Sequence, residues 1–268
     1  MKTKTYGCRG SIAVSQFGES RYGANTSCMT IESQGVGIIF DAGSGLMMLE
    51  KELAPVPNHI LISHLHIDHI IGLGMFTPMW TKNSRMRVYT CSRDDRPLRD
   101  QIFGAFVPPY WPASLAKNSG AQCIGIEAGV PFNIGHIKVT PFLANHPDKT
   151  LSFHVDDGEK IFIHLLDHEI VGMSDKAYQD LINICAGADM VVFDSAYSSE
   201  DYPALQGRGH STVEQGVALA KACKPKRMMF SHYGWQYSDK QLDTWEMLVA
   251  KETCCEFIFA YDGLEMTF

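Results

Sequence analysis

The residues most able to do chemistry lie in one short stretch, Ser63-His64-Leu65-His66-Ile67-Asp68-His69. Its three histidines and one aspartate are natural ligands for zinc and similar divalent metals. In an extended segment, residues i and i+2 point to the same side, so His64 and His66 can bind one ion together. A bend after them would turn Asp68 and His69 toward a second ion. The spacing therefore predicts a metal centre.

The elements around this stretch are predicted to be a strand before it and a helix after it. The strand is the apolar run at 59–63, and the helix starts at 70–73. A second short helix is predicted over 46–53. Other short strands are predicted over 27–32, 37–41, 86–90, 122–127, 136–142, 151–156 and, after an Asp157-Gly158 turn, 160–166.

The second half of the chain alternates between helices and strands. Helices are predicted over 176–185, 211–222 and 239–251, and strands over 190–194, 227–231 and 256–261. In the helix over 211–222, Ser211 is placed as the cap, and Glu214 completes a capping box. Val213, Val217 and Ala220 share its apolar face. Two strand-rich halves, each with helices, predict an α/β fold of packed sheets covered by helices.

No linker, low-complexity tract or repeat divides the chain, which predicts a single domain over residues 1–268. Residues 76–118 stand apart because they contain several prolines, two tryptophans and five arginines. One interpretation is a surface excursion that packs on the core. The other is a lid or a dimer contact over an active site.

Composition excludes several classes of protein. The hydrophobic fraction of 45% is typical of a globular chain, and no apolar run reaches the ~18 residues of a membrane helix. The net charge is −7, from 23 Lys and Arg against 30 Asp and Glu. This charge disfavours an extended nucleic-acid track, because phosphates are contacted mainly by basic residues.

The amino terminus lacks a secretory pattern, so we expect a cytoplasmic protein. The eight cysteines form no C-x-x-C pair, so we expect them to be free thiols.

The H-x-H-x-D-H pattern after an apolar strand resembles the signature of the metallo-β-lactamase fold superfamily. The resemblance extends over nearly the whole chain. Gly7-Cys8-Arg9-Gly10-Ser11 and Tyr22-Gly23-Ala24-Asn25-Thr26-Ser27-Cys28 resemble the start of one bacterial branch, and Asp41-Ala42-Gly43-Ser44-Gly45 resembles the D-x-G turn of the family. The implied fold is a four-layer αβ/βα sandwich, in which two packed sheets are flanked by helices and the metals lie at one edge.

The resemblance also implies the remaining ligands and two divalent ions, with zinc expected and manganese or iron as alternatives. His146 matches the third histidine of the first ion, Asp167 the bridging aspartate and His232 the last histidine of the second ion. The metal ligands it implies are His64, His66 and His146 for one ion, Asp68, His69 and His232 for the other, and Asp167 between them.

A second motif, Gly209-His210-Ser211-Thr212, resembles the H-S-T element of the tRNase Z and cyclic-phosphodiesterase branches. In those branches the histidine assists at the phosphate, so the resemblance implies His210 as a catalytic residue. Asp68 is the second expected catalytic residue, because it would hold one ion and also orient the nucleophile. A tRNase Z usually carries a long arm between its third histidine and bridging aspartate, and the stretch 145–167 is too short for one. The expected reaction is hydrolysis of a small or cyclic phosphodiester by a hydroxide shared between the two ions.

Several alternatives stay open. Hydrolysis of a lactone, a thioester or another C–O or C–N bond uses the same metal centre, and a non-enzymatic metal domain is a further reading. Redox di-iron members carry glutamate at the position of His66, which disfavours them. His168 and Glu169 either orient ligands or face solvent, and Trp235 and Tyr237 either contact a substrate ring or pack as ordinary loop residues. The expected partner is a small phosphodiester, with no membrane and a possible homodimer.

Overall fold

Two seven-stranded β-sheets form the centre of the computed structural model, which describes residues 1–15, 20–52 and 56–268. The strands of the first sheet are β1 (Lys2–Gly7), β2 (Cys28–Ser33), β3 (Val36–Phe40), β4 (His59–Leu61), β5 (Arg87–Thr90), β6 (Gln122–Gly125) and β14 (Glu265–Thr267). Those of the second are β7 (Phe132–Ile134), β8 (Ile137–Leu143), β9 (Leu151–Asp156), β10 (Ile161–Leu165), β11 (Met190–Asp194), β12 (Arg227–Ser231) and β13 (Glu256–Phe259).

Each sheet is mixed, and the two have the same plan. The first has the order β14-β1-β2-β3-β4-β5-β6 and is parallel from β3 to β6. The second has the order β13-β12-β11-β10-β9-β8-β7 and is parallel from β10 to β13. Because neighbouring parallel strands end at the same edge of a sheet, the loops after them lie close together, where α/β proteins place their sites.

Apolar side chains from both sheets meet in the core. The ring of Phe40 on β3 lies 5.3 Å from that of Phe162 on β10 and 5.8 Å from that of Phe153 on β9, between ring centroids. All three side chains are fully buried. Sheet-on-sheet packing of this kind holds the two halves of the chain together.

Helices cover the outer faces of both sheets. The longer ones are α1 (Leu46–Glu52), α5 (Asp175–Cys185), α7 (Val213–Cys223) and α8 (Asp239–Val249), and the shorter ones are α2 (Ile67–Ile70), α3 (Leu98–Phe103), α4 (Leu115–Asn118) and α6 (Tyr202–Leu205). Within residues 1–15, 20–52 and 56–268, no helix has the length and apolar character needed to cross a bilayer. All eight cysteines are free thiols, as expected.

Most predicted elements are present, with ends shifted by a few residues. The helix predicted over 46–53 is α1, and Leu53 lies outside the described residues. The helix expected to start at residue 70 starts earlier, at Ile67, and a 3₁₀ turn over Ile71–Gly74 follows it. This earlier start places Asp68 and His69 on the helix itself.

The predicted start of α7 is wrong. Thr212, not Ser211, is the N-cap: its side chain accepts a hydrogen bond from the backbone N–H of Gln215, whose own side chain accepts from the Thr212 N–H. The Ser211 hydroxyl instead donates to the carbonyl of His168 at 2.7 Å. The predicted box of Ser211 and Glu214 therefore fails because Ser211 is engaged by a distant loop.

Residues 76–118 contain regular structure as well as loops. Strand β5 lies inside the first sheet between β4 and β6, and Phe76, Phe103 and Phe106 are fully buried beneath the helices. Tyr110, at the outer side, is 83% exposed. A role of this segment as a lid or dimer contact stays a prediction.

The capping box gives a stability prediction. We expect Thr212→Ala to lower the free energy of unfolding by about 1 kcal/mol, because the N–H of Gln215 loses its acceptor, and Thr212→Ser to restore most of it. Urea unfolding followed by far-UV circular dichroism measures both. Equal stability of the wild type and Thr212→Ala would show that the cap contributes nothing.

Candidate metal centre

Loops from both sheets bring the predicted ligands together at one edge. These loops follow the carboxyl ends of β4, β8, β10 and β12, and α2 continues the first of them. The buried apolar strands fix where each loop begins, so short connections suffice to aim the polar side chains inward. The residues placed there are His64, His66, Asp68, His69, His146, Asp167 and His232.

The first group consists of His64, His66 and His146. The ring centroid of His64 lies 4.3 Å from that of His66 and 4.9 Å from that of His146. One nitrogen from each ring and one oxygen of Asp167 lie within 4.8 Å of one another. Three imidazoles and a carboxylate at this spacing match a divalent-ion site. His66 is the most exposed member of the group. Its side chain is 49% exposed, and its Nε2 lies 2.8 Å from Oδ2 of Asp148.

The second group consists of Asp68, His69 and His232. Nε2 of His69 lies 3.2 Å from Nε2 of His232, and each of these nitrogens lies 3.4 Å from Oδ2 of Asp68. All three residues are buried. The backbone N–H of Ser11 donates to the same Asp68 oxygen at 2.7 Å, which fixes the carboxylate.

Asp167 lies between the two groups, with one oxygen toward each. Its Oδ1 is 3.7 Å from Nε2 of His64 and 3.9 Å from Nε2 of His146. Its Oδ2 is 3.1 Å from Nε2 of His69 and 3.5 Å from Nε2 of His232. A carboxylate that divides its oxygens in this way has the geometry of a bridging ligand.

Outer side chains fix the orientation of the imidazoles. Asp41 accepts a hydrogen bond from Nδ1 of His69 at 2.8 Å, and its other oxygen accepts from the backbone N–H and hydroxyl of Ser63. Nδ1 of His146 is hydrogen-bonded to the hydroxyl of Thr150 at 3.0 Å. Engaging Nδ1 leaves Nε2 for a metal, which is the usual arrangement of metal-binding histidines.

Charges are closely balanced in this cluster, where the neighbouring aspartates raise the pKa of His69 and of His232 against the effect of burial. Burial lowers the pKa of His64 well below its ordinary value, so its imidazole is a neutral ligand. Burial raises the pKa of Asp167, but the neighbouring histidines outweigh it and hold the carboxyl ionised. Nε2 of His64 and Oδ2 of Asp167 are buried with no hydrogen bond to any residue that the structure describes. Buried atoms of this kind need a partner, and a divalent ion supplies it.

Three residues of the site have left-handed backbone. The φ angles are +55° at Asp41, +50° at Asp167 and +64° at His232. Few residues other than glycine adopt this conformation, and it is concentrated at functional sites. The sharp turns let these side chains point back into the edge immediately after their strands end.

His210 and Asp194 form a pair beside the cluster. Nδ1 of His210 lies 2.8 Å from Oδ2 of Asp194, and the His210 ring stacks on that of His232 at 5.2 Å between centroids. Burial lowers the pKa of His210, but the charge and hydrogen bond of Asp194 outweigh it and raise that pKa to about 9. Asp194 was not among the residues predicted to belong to the site. Its place at the end of a buried strand at this edge was the signal that could have found it.

His168 and Glu169 are both buried rather than solvent-facing. The Glu169 carboxylate accepts hydrogen bonds from the hydroxyl of Tyr202 at 2.6 Å and from the backbone N–H groups of Gly207 and Gly209 at 2.8 and 2.9 Å. Nδ1 of His168 accepts from a backbone N–H of the loop after β8. The solvent-facing alternative is therefore wrong, these hydrogen bonds hold the loops of the site, and a role in orienting the ligands stays a prediction.

An open pocket of about 370 Å³ adjoins His146, between the loops at 145–147, 171–172 and 206–207. Trp235 is 54% exposed, whereas Tyr237 is buried and donates its hydroxyl to Asp201 at 2.6 Å. Of the two predicted alternatives for Tyr237, the structure supports packing as a loop residue. A larger cavity of about 940 Å³, at the amino ends of β4 and β5, is lined by none of the seven candidate ligands.

The support of His69 by Asp41 can be tested directly. We expect Asp41→Asn to weaken metal binding about 10- to 100-fold, because the amide holds the imidazole without a charge. Asparagine also tolerates the left-handed backbone of this position. Competition with a fluorescent chelator measures the affinity, and Asp157→Asn, which alters a carboxylate bonded to Ser33 instead, is the control. Unchanged affinity in Asp41→Asn would rule out this supporting role.

Comparison with known proteins agrees with this geometry. The Beta-lactamase superfamily domain model matches residues 37–233. Ribonuclease Z of Ignicoccus hospitalis is 22% identical over 255 residues, which cover 78% of this chain and 82% of that protein.

Solved structures show the same fold. The metallo-β-lactamase fold protein YhfI from Bacillus subtilis gives a TM-score of 0.74 at 17% identity and covers 99% of this chain and 98% of its own. A diphosphatase from the PhnP family gives a TM-score of 0.71 at 14% identity, and the alignment covers 100% of this chain and 97% of the diphosphatase. The αβ/βα sandwich is thereby confirmed. Because the family model matches most of the chain, this protein belongs to the β-lactamase superfamily, as a hydrolase of the metallo-β-lactamase fold.

Proposed function

We propose that this chain is a binuclear metal-dependent phosphodiesterase that acts on a small or cyclic phosphodiester. The observation that carries the proposal is the division of the Asp167 oxygens between two histidine groups, with the His210–Asp194 pair beside them. Two adjacent cation sites suit a phosphate, whose oxygens can bridge both ions.

The proposed ligands are the seven residues of the cluster. His64, His66 and His146 would hold one ion, Asp68, His69 and His232 the other, and Asp167 both. The His and Asp donors suit zinc, with manganese or iron as alternatives. When bound, such ions lower the pKa of water and offset negative charge on the phosphate.

His210 is the proposed general acid. A carboxylate can only accept a hydrogen bond, so Asp194 holds a proton on Nδ1 of His210 and leaves Nε2 to exchange a proton with the substrate. The charge and hydrogen bond of Asp194 raise the pKa of His210, which favours the protonated imidazole that a general acid requires. Nε2 can then stabilise a non-bridging phosphate oxygen or protonate the leaving alkoxide.

Asp68 is proposed to act both as a ligand and in orienting the attacking water. Its charge favours this role, because His69 and His232 together outweigh the effect of burial and lower the pKa of the Asp68 carboxyl. The Ser11 N–H fixes one oxygen of the carboxylate, so its position does not depend on the substrate.

A small substrate is favoured over a long RNA. Residues 151–165 form the antiparallel pair β9 and β10, so the stretch between His146 and Asp167 projects no arm. The adjoining pocket of about 370 Å³ is at the small end for ligand sites. A net charge of −7 also gives little attraction for a polynucleotide outside the site.

An assay of a phosphodiester, a lactone, a β-lactam and an RNA tests the function. The metal-loaded protein should hydrolyse bis-p-nitrophenyl phosphate and lose that activity with a chelator, while a lactone and a β-lactam react slowly. A precursor tRNA with a 3′ trailer is the fourth substrate. Hydrolysis of the lactone without hydrolysis of the diester would contradict the proposed function. Cleavage of the precursor tRNA at a much higher rate than the diester would contradict the preference for a small substrate.

The role of His210 gives a sharper prediction. We expect His210→Gln to lower kcat for bis-p-nitrophenyl phosphate about 100-fold or more, because the acid is lost, while the metal content measured by mass spectrometry stays at the wild-type level. His136→Gln, an exposed histidine on the second sheet's outer loop, is the matched control. Loss of metal in His210→Gln would make this residue a ligand instead.

A further inference from the structure

Asp148 lies two residues beyond the candidate ligand His146, but its side chain contacts a different ligand. Its Oδ2 lies 2.8 Å from Nε2 of His66. His66 follows β4 of the first sheet and Asp148 follows β8 of the second, so this contact joins loops from the two sheets. A carboxylate oxygen and an imidazole nitrogen approach so closely only when a proton or a cation lies between them, because their lone pairs repel each other.

Asp148 itself lies outside the atoms that would surround the first ion. That group consists of one nitrogen or oxygen from each of His64, His66, His146 and Asp167, which all lie within 4.8 Å of one another. The Asp148 side chain is 58% exposed, whereas the ligands on the inner side of the group are buried. A proton on Nε2 of His66 therefore explains the short contact better than a shared ion, and Asp148 is a partner of the imidazole instead of an eighth ligand.

The other two histidines of this group have the opposite ring nitrogen engaged. Nδ1 of His64 lies 3.1 Å from the hydroxyl oxygen of Ser63, and Nδ1 of His146 lies 3.0 Å from that of Thr150. Both histidines therefore have Nε2 left for the ion. In His66 the engaged nitrogen is Nε2, so the neutral imidazole has only the lone pair of Nδ1 left for a metal.

The backbone beside Asp148 is held from the first sheet. The guanidinium of Arg93, on the loop after β5, donates a hydrogen bond to the carbonyl of Lys149 at 3.0 Å. The ammonium group of Lys149 donates in turn to the carbonyl of Ser92 at 2.9 Å. Because the backbone is fixed in this way, only the side-chain rotation of Asp148 has to be restricted to keep its carboxylate against His66.

We propose that Asp148 is a positioning residue for the first ion. Its carboxylate holds the proton of His66 on Nε2, leaves Nδ1 as the nitrogen that can bind the ion, and fixes the ring on the half-exposed side of the site. The inference rests on the ligand assignment of the proposed function and not on which ester is hydrolysed. A carboxylate behind a metal-binding imidazole orients the ring and increases its basicity. Loss of Asp148 should therefore weaken binding of the first ion alone.

Zinc affinity tests this role without any substrate. We expect Asp148→Ala to weaken one of the two zinc sites about 10- to 100-fold and to leave the other unchanged. Asp148→Asn, which keeps an acceptor oxygen without the charge, should weaken the same site less. Asp95→Ala, at an exposed loop aspartate outside the ligand cluster, is the matched control. Competition with a fluorescent chelator measures both sites in each variant.

A second background shows which ion is affected. His146→Ala removes a ligand of the first ion, and in that background Asp148→Ala should cause no further change in zinc affinity. A further loss there would mean that Asp148 acts on the second ion or on the fold, which contradicts the proposal. The expected loss of zinc affinity without any diester hydrolysis would contradict only the proposed reaction. Diester hydrolysis with equal zinc affinity in the wild type and Asp148→Ala would contradict only the role of Asp148.

The position of the His66 proton is a readout that a merely structural role of Asp148 would not change. Long-range proton–nitrogen NMR spectra distinguish the two ring nitrogens, and comparison with His66→Gln identifies the signals of His66. We expect the zinc-loaded protein to carry a proton on Nε2 of His66, and we expect this proton to exchange faster with water in Asp148→Ala. Zinc bound at Nε2, with the proton absent from that nitrogen, would show that the proposal is wrong.

Discussion

The arrangement of the loops around the candidate metal centre depends on one buried carboxylate, that of Asp194. It accepts hydrogen bonds from the backbone N–H groups of Asp167, Ala196 and Ser211 and from the imidazole of His210. A buried charge is tolerated only when its hydrogen bonds are satisfied, so these four partners cannot move independently. The loop after β10, the loop after β11 and the approach to α7 are thereby held in one arrangement, and the candidate bridging ligand and the proposed acid are positioned together.

The plan of the two sheets explains why short loops are enough to bring the residues of the site together. Each sheet turns from antiparallel to parallel pairing at its centre, at β3 in the first and β10 in the second. Parallel strands then end at a common edge, and packing of the sheets brings the two edges together. Polar residues far apart in the sequence, such as His64 and His232, need only follow the carboxyl end of their strand to meet.

Much of this arrangement could be predicted from the sequence, because its signals are local. The cluster at 63–69 and the apolar strands β9, β11 and β12 are readable from spacing and hydrophobicity alone. The terminal strands β1 and β14 were missed, and β14 is only three residues long and pairs with β1 from the opposite end of the chain. Ser211 was misplaced as a cap because its partner, the carbonyl of His168, is remote in sequence. The role of Asp41 could not be predicted for the same reason, since it depends on contacts with His69 and Ser63 in a separate loop. For Asp194 only its place at the end of a buried strand was readable, and not its four partners.

The left-handed backbone at Asp41, Asp167 and His232 lowers local stability but directs functional side chains into the site. Such a conformation costs on the order of 1 kcal/mol at each non-glycine residue, and glycine would adopt it without that cost. A chain selected only for stability would therefore drift toward glycine at these three turns and lose a ligand or its support each time. The side chains at these turns therefore cost stability that the fold itself does not require, and a ligand that binds only the folded state would offset that cost.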